Sequence, residues 1–217
     1  MRLRITSRIA GFALAFAWIM MAPAVHADEN YYMVVFAYDG PQNTPRAAHT
    51  FATFVKVSYQ HGSNRKEGQV ERHTISWLPA TLDVRLLRRP EAGKNLGLRA
   101  TLQLGESEGA AISAWGPYRI KKTLYDRALS QIERLNRGEV AYKALDRAYR
   151  PDAATNCFHA VSDIVPGPLL NTGTAFGNTA SAMVVEHLSP WIIHPEKTSP
   201  RLIDRLGLEK DVIAFEK

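Results

Sequence analysis

The chain has one cysteine in 217 residues. A single cysteine forms no intrachain disulfide, so a small scaffold stapled by bridges is excluded. Acidic residues are few, with 21 Asp and Glu against 27 Lys and Arg. Aromatics are 9% and charged residues 22%. With 14 Gly and 12 Pro, collagen-like and low-complexity chains are excluded as well. The longest apolar run, residues 9–22, has 14 members, and a membrane-spanning helix needs about 20. No spaced cysteine or histidine pair of the kind that holds zinc is present. What remains is a chain that is 46% hydrophobic and long enough to bury a substantial core.

The apolar run follows Arg2, Arg4 and Arg8 and ends at Pro23 and Ala-Val-His-Ala27. A basic start, a short apolar centre and an Ala-x-Ala end have the form of a secretory signal peptide. The expectation is a leader over 1–27 and one α+β domain over 28–217, exported to the periplasm or secreted. Loss of the leader removes three arginines and no acid, so the formal charge falls from +6 to +3. Basic residues are scattered rather than massed on one segment. Nucleic acid is therefore not an expected partner. No stable transmembrane segment is expected after cleavage.

The rest of the chain places strands first and helices later. Residues 31–38, 49–59 and 70–78 are rich in β-branched and aromatic side chains and read as strands. The second and third are expected to form a hairpin through the polar stretch 60–68. Residues 81–87 extend the sheet in this reading, and 112–115 form a short strand stopped by Gly116-Pro117. Leu124, Ala128, Ile132 and Leu135 recur at helical spacing, so 121–137 is a helix. Further helices are expected over 140–149, 157–165 and 179–188, and 95–104 suits either a short helix or a strand, with the helix preferred. The segment from Ser189 to Lys217 is a proline-containing tail with a short helix over 200–206. Strands followed by helices point to an α+β fold, an antiparallel sheet packed against helices.

One constellation points to chemistry. Cys157 sits in Asn156-Cys-Phe-His-Ala-Val161, where a loop enters a helix. Unpaired amides and the helix dipole at such a position stabilise a thiolate and lower its pKa. A thiolate nucleophile needs a base and an oxyanion site, and the same amides can serve the oxyanion. The base is sought among the histidines. His49 opens the second strand and His73 lies on the third. A hairpin turning near residues 60–65 can bring both to one end of the sheet.

The hexad resembles the Asn-Cys-x-His-Phe-Val motif of the lecithin retinol acyltransferase-like family, with Ala160 in place of Phe. That family belongs to the circularly permuted branch of the NlpC-like, papain-like thiol hydrolases. The resemblance covers about residues 31–165. It implies a permuted papain-like arrangement with His49 as base, His73 as orienter and Cys157 as nucleophile. His61 competes with His73 for the third role, and His73 is favoured because His61 lies in a polar turn. The expected activity is an exported thiol hydrolase or acyltransferase. Its expected partner is a cell-envelope peptide or lipid substrate carrying an amide, peptide or acyl-ester bond, with no cofactor. The alternative is a secreted binding or structural module that keeps the fold without turnover. His159, two residues after Cys157, is expected to serve packing or a hydrogen bond. A zinc site from His49, His61, His73 and Cys157 is the lesser reading of the same residues. The stretch 79–115 and the tail after 165 are not explained by the family pattern.

Overall fold

The computed structural model describes residues 28–59, 68–147, 149–150, 152–208, 212 and 214–216. The leader assigned to 1–27 and the turn that carries His61 lie outside the described residues.

Strands β1 (Asp28–Asp39) and β2 (Ala48–Tyr59) pair antiparallel along their whole length. Strand β3 (Gln69–Ile75) pairs with β2, and after the break at Ser76 the strands β4 (Trp77–Pro79) and β5 (Gly93–Asn95) form a separate ribbon. Helix α1 (Leu98–Ser107) leads into β6 (Ala111–Ile120), which pairs antiparallel with β1. Helix α2 (Lys122–Asn136) follows, then the two-residue strands β7 (Ala141–Tyr142) and β8 (Ala154–Thr155). Helices α3 (Cys157–Ser162), α4 (Gly177–Leu188) and α5 (Pro200–Leu206) precede β9 (Ala214–Glu216). The main sheet runs β3-β2-β1-β6-β9, antiparallel except for the parallel β6–β9 edge. This is the α+β class expected, with an antiparallel sheet between helices. Among the described residues no helix is long and apolar enough to cross a membrane.

The apolar run of β1 follows from its place at the sheet's centre. Met33, Val35 and Ala37 face one core, against Leu124 and Ala128 of α2, Val161 of α3 and Val184 of α4. Val34, Phe36 and Tyr38 face the other, against Leu98 and Leu102 of α1 and Leu202 and Leu206 of α5. A strand buried on both faces has no polar alternation to show. The α5 helix and β9 also explain the tail: it covers the second face and then extends the sheet.

Three local expectations need correction. Gly116-Pro117 does not end β6. The register shifts between Met33 and Val35, so both residues oppose Val34 in a bulge, and the bulge absorbs a proline that has no N–H to give to the ladder. Residues 81–87 add no strand to the sheet; they form an irregular excursion between β4 and β5. The described residues of 140–149 are not helical. Tyr142 exchanges backbone hydrogen bonds with Glu91 at 2.7 and 3.0 Å, and Lys143 N–H donates to the Thr155 carbonyl at 3.0 Å. Those long-range partners take the groups a helix would have used.

Candidate active site

Helix α3 starts at Cys157 because Asn156 caps it. The Asn156 side-chain oxygen accepts from the His159 amide at 2.8 Å. Asn156 is in turn held by Asp146, whose carboxylate accepts from its backbone N–H at 2.8 Å and its side-chain amide at 3.0 Å. The same carboxylate accepts from His159 Nδ1 at 2.7 Å, while His159 Nε2 donates to the Leu170 carbonyl at 2.7 Å. Burial pulls the His159 pKa down, but the hydrogen bond and charge of Asp146 and the Leu170 carbonyl outweigh it, and the net shift is upward. An imidazolium between a carboxylate and a carbonyl satisfies both ring N–H groups. His159 thus has the structural role expected of it. It ties the loops at 146 and 170 to the base of α3.

Cys157 opens onto a cavity of about 490 Å³. Its sulfur meets the backbone amides of Thr50, Phe158 and Cys157 itself. The Thr50 amide lies beyond the β3 pairing, which reaches only Ala52 and leaves 48–51 of β2 without a strand partner on that side among the described residues. These amides favour the thiolate. Desolvation by the surrounding protein outweighs them, Asp146 adds to it, and the thiol is pushed up to about 11. The expectation of a lowered thiol pKa is therefore overturned. A six-residue helix and a few amides do not offset removal from water.

His49 lines the same cavity as Cys157 and is 1% exposed. It faces Tyr38 in the β1–β2 register, and its ring stacks on Phe51 with centroids 5.6 Å apart. Burial pulls its pKa down to about 3, so the imidazole is neutral. Nε2 lies 2.9 Å from Ser76 Oγ, whereas Nδ1 is buried and has no hydrogen-bond partner among the described residues. Ser76 Oγ lies 2.9 Å from Thr101 Oγ1 of α1, which is 3.1 Å from the Gly97 carbonyl. Ser76 is itself fixed, because its amide donates to the Asn95 side chain at 2.8 Å.

His73 is not part of this arrangement. It pairs with Phe54, five residues along β2 from His49, or roughly 17 Å at strand spacing. An odd offset also puts it on the opposite face. There its ring bonds to Glu71 at 2.7 Å and meets the edge of Tyr125. The hairpin does centre near residue 64, but His49 and His73 stand at unequal distances from that centre. The residue on His49 Nε2 is Ser76, at the point where β3 ends. The lesser zinc reading loses convergence for the same reason. Among the described residues no group of three His, Cys, Asp or Glu is placed to hold a metal ion.

Ser76, Thr101 and Asp146 were missed from the sequence. The available signal for Ser76 was a small polar residue inside an otherwise buried run between Thr74 and Leu78. Asp146 was hidden by the helical reading of its segment. The remaining cavity wall is largely apolar, with Val84, Leu86, Tyr142, Phe158 and Phe176 beside the thiol. Tyr142 is in this wall, and Tyr118 is in the core. No family model, curated protein or solved structure matches this chain.

Proposed function

We propose that this chain is an exported cysteine-dependent hydrolase or acyltransferase of permuted papain-like arrangement, acting on an amide, peptide or acyl-ester carbonyl. The observation that carries the reading is the His49 ring. His49 lines the cavity that receives the lone thiol; its Nε2 is tied to Ser76, while Nδ1 is buried and makes no hydrogen bond among the described residues, Cys157 included. Ser76 Oγ accepts from Thr101 Oγ1 and can accept His49 Nε2–H through its second lone pair, which leaves a lone pair on Nδ1. The other tautomer puts an N–H at Nδ1, where it is buried without a partner among the described residues, a costly state. A lone pair at Nδ1 is what a general base requires.

In the first step His49 Nδ1 takes the Cys157 proton as sulfur bonds to the carbonyl carbon. The amides at the start of α3 receive the developing oxyanion. Collapse breaks the bond to the leaving amine or alcohol, which takes the proton from His49 and leaves a thioester on Cys157. Water, or an acceptor alcohol or amine, then attacks the thioester. His49 accepts that nucleophile's proton and returns it to the sulfur. The apolar wall favours a hydrophobic acyl part over a charged one.

One observation favours the second reading, a binding module without turnover: thiol and imidazole are both neutral at rest. A panel of nitrophenyl acyl esters and acyl-peptide amides separates the two. Turnover with a trappable thioester, lost in Cys157→Ala and reduced about a hundredfold or more in His49→Ala, is expected of the enzyme. Equal turnover by Cys157→Ala and the parent chain overturns it.

A further inference from the structure

The excursion at 80–92 lies in the stretch that the papain-like resemblance leaves unexplained. Val84, Leu86 and Leu87 are interleaved there with Arg85, Arg88 and Arg89. Leu87 is 91% exposed and Leu82 is 38% exposed. A solitary exposed leucine on a loose loop carries no meaning. This one is held in place. The buried Lys143 ammonium donates to the carbonyls of Leu86 at 2.9 Å and Arg88 at 2.7 Å, the residues on either side of Leu87. Arg88 N–H donates to the Arg85 carbonyl at 3.2 Å and closes the turn. Burying an ammonium is costly unless it is fully engaged. Here its hydrogen bonds fix the turn that displays an apolar side chain to solvent.

The charge around this tip is positive by a narrow margin. Arg46 borders the same concavity as Arg85, Leu87 and Arg88, and Arg89 follows in the chain. Asp83 pairs with Arg85 at 2.6 Å and Glu91 with Arg88 at 3.4 Å, both at the surface. Glu108 borders the adjoining concavity, and four arginines still outnumber the three acids. The position matters as much as the charge. Leu86 lines both this concavity and the Cys157 cavity, and Leu145, 53% exposed, stands in the wall of the latter.

We infer that the 82–89 tip, with Arg46 beside it, is a docking surface for an anionic lipid bilayer. Leu87 enters the headgroup boundary and the arginines lie at the level of the phosphates. A protruding leucine ringed by arginines is too small an apolar area for a stable protein interface, which needs about 800 Å² per partner. A few apolar side chains plus a basic cluster suffice for interfacial lipid binding. Docked in this way, the cavity that holds Cys157 lies next to the lipid. The docking itself does not depend on turnover at Cys157.

The test is hydrogen–deuterium exchange of the full chain, with and without vesicles of equal parts phosphatidylcholine and phosphatidylglycerol. The expected result is slower exchange over 84–89 with these vesicles, absent with phosphatidylcholine alone and reversed by high salt. Leu87→Asp removes the slowing. Each Arg→Ser change among Arg85, Arg88 and Arg89 weakens vesicle affinity about fivefold. The readout is local to the tip, so attachment through residues 9–22 does not imitate it. Slowing that is equal with neutral vesicles, or that survives Leu87→Asp, overturns the inference. Slowing without vesicles that grows with protein concentration overturns it in favour of a second copy of the chain. Cys157→Ala retains the slowing, so absence of esterase activity in the parent chain counts against the proposed function and not against the docking surface.

Discussion

Alkylation of Cys157 is the sharpest probe of the site, because the chain has one cysteine and every adduct reports on it. Burial lifts the thiol from 9.0 to about 11. Two pKa units are a factor of about a hundred in thiolate at any pH well below both values, or about 3 kcal/mol. Iodoacetamide should therefore modify the folded protein about a hundred times more slowly at pH 8 than it modifies an unstructured cysteine peptide. The rate should keep rising up to about pH 11. Intact-mass spectrometry across a pH series gives the midpoint directly. His49→Ala should leave that midpoint in place, since a neutral imidazole contributes no charge to the thiolate. A midpoint at or below about 8.5 would refute the argument that desolvation outweighs the three amides. If it also rose in His49→Ala, the resting state would be a thiolate–imidazolium pair instead. Labelling that occurs only after denaturation would remove the enzymatic reading altogether.

Three further outcomes are expected. Ser76→Ala should lower kcat about tenfold or more with little change in KM, because Ser76 positions the His49 ring and does not meet substrate; an unchanged kcat removes it from that role. His159→Ala should cost about 3–5 kcal/mol by urea unfolding, because it leaves the buried Asp146 carboxylate without its cation. The His159 pKa is raised in the fold, so its contribution is complete below pH ~6.5 and fades as pH rises through the folded value. The stability difference between the parent chain and His159→Gln should accordingly shrink on the alkaline side, and a gap that widens there contradicts the assignment. Gly177→Ala should destabilise by about 3 kcal/mol in thermal or urea unfolding. Its φ is +53°, and an added Cβ would lie 1.6 Å from the Asp39 carboxylate oxygen, displacing the group that accepts from the Asn178 amide.

Most elements were readable where one local pattern spanned the whole element. The runs in β1 and β2 and the Leu124–Ala128–Ile132–Leu135 spacing of α2 needed no distant partner to be recognised. Segments that failed were those whose backbone bonds go far along the chain. The 140–149 stretch has helical spacing, yet Tyr142 and Lys143 bond to Glu91 and Thr155. Gly116-Pro117 looked like a stop, and only the bulge opposite Val34 let β6 run through it.

The site divides along the same line. Local sequence determined that Cys157 begins a helix, because Asn156 is an N-cap residue next to a short apolar run. It also determined that His49 lies on a strand and that His159 cannot share the direction of Cys157. Register and burial decided the rest. Pairing His73 with Phe54 instead of near His49 put it on the other face, and gave the contact with His49 Nε2 to Ser76. The sign of the Cys157 shift was likewise a tertiary matter. The helix start favours a thiolate, but the packing of remote segments around the sulfur removes water, and desolvation acts through every neighbour at once.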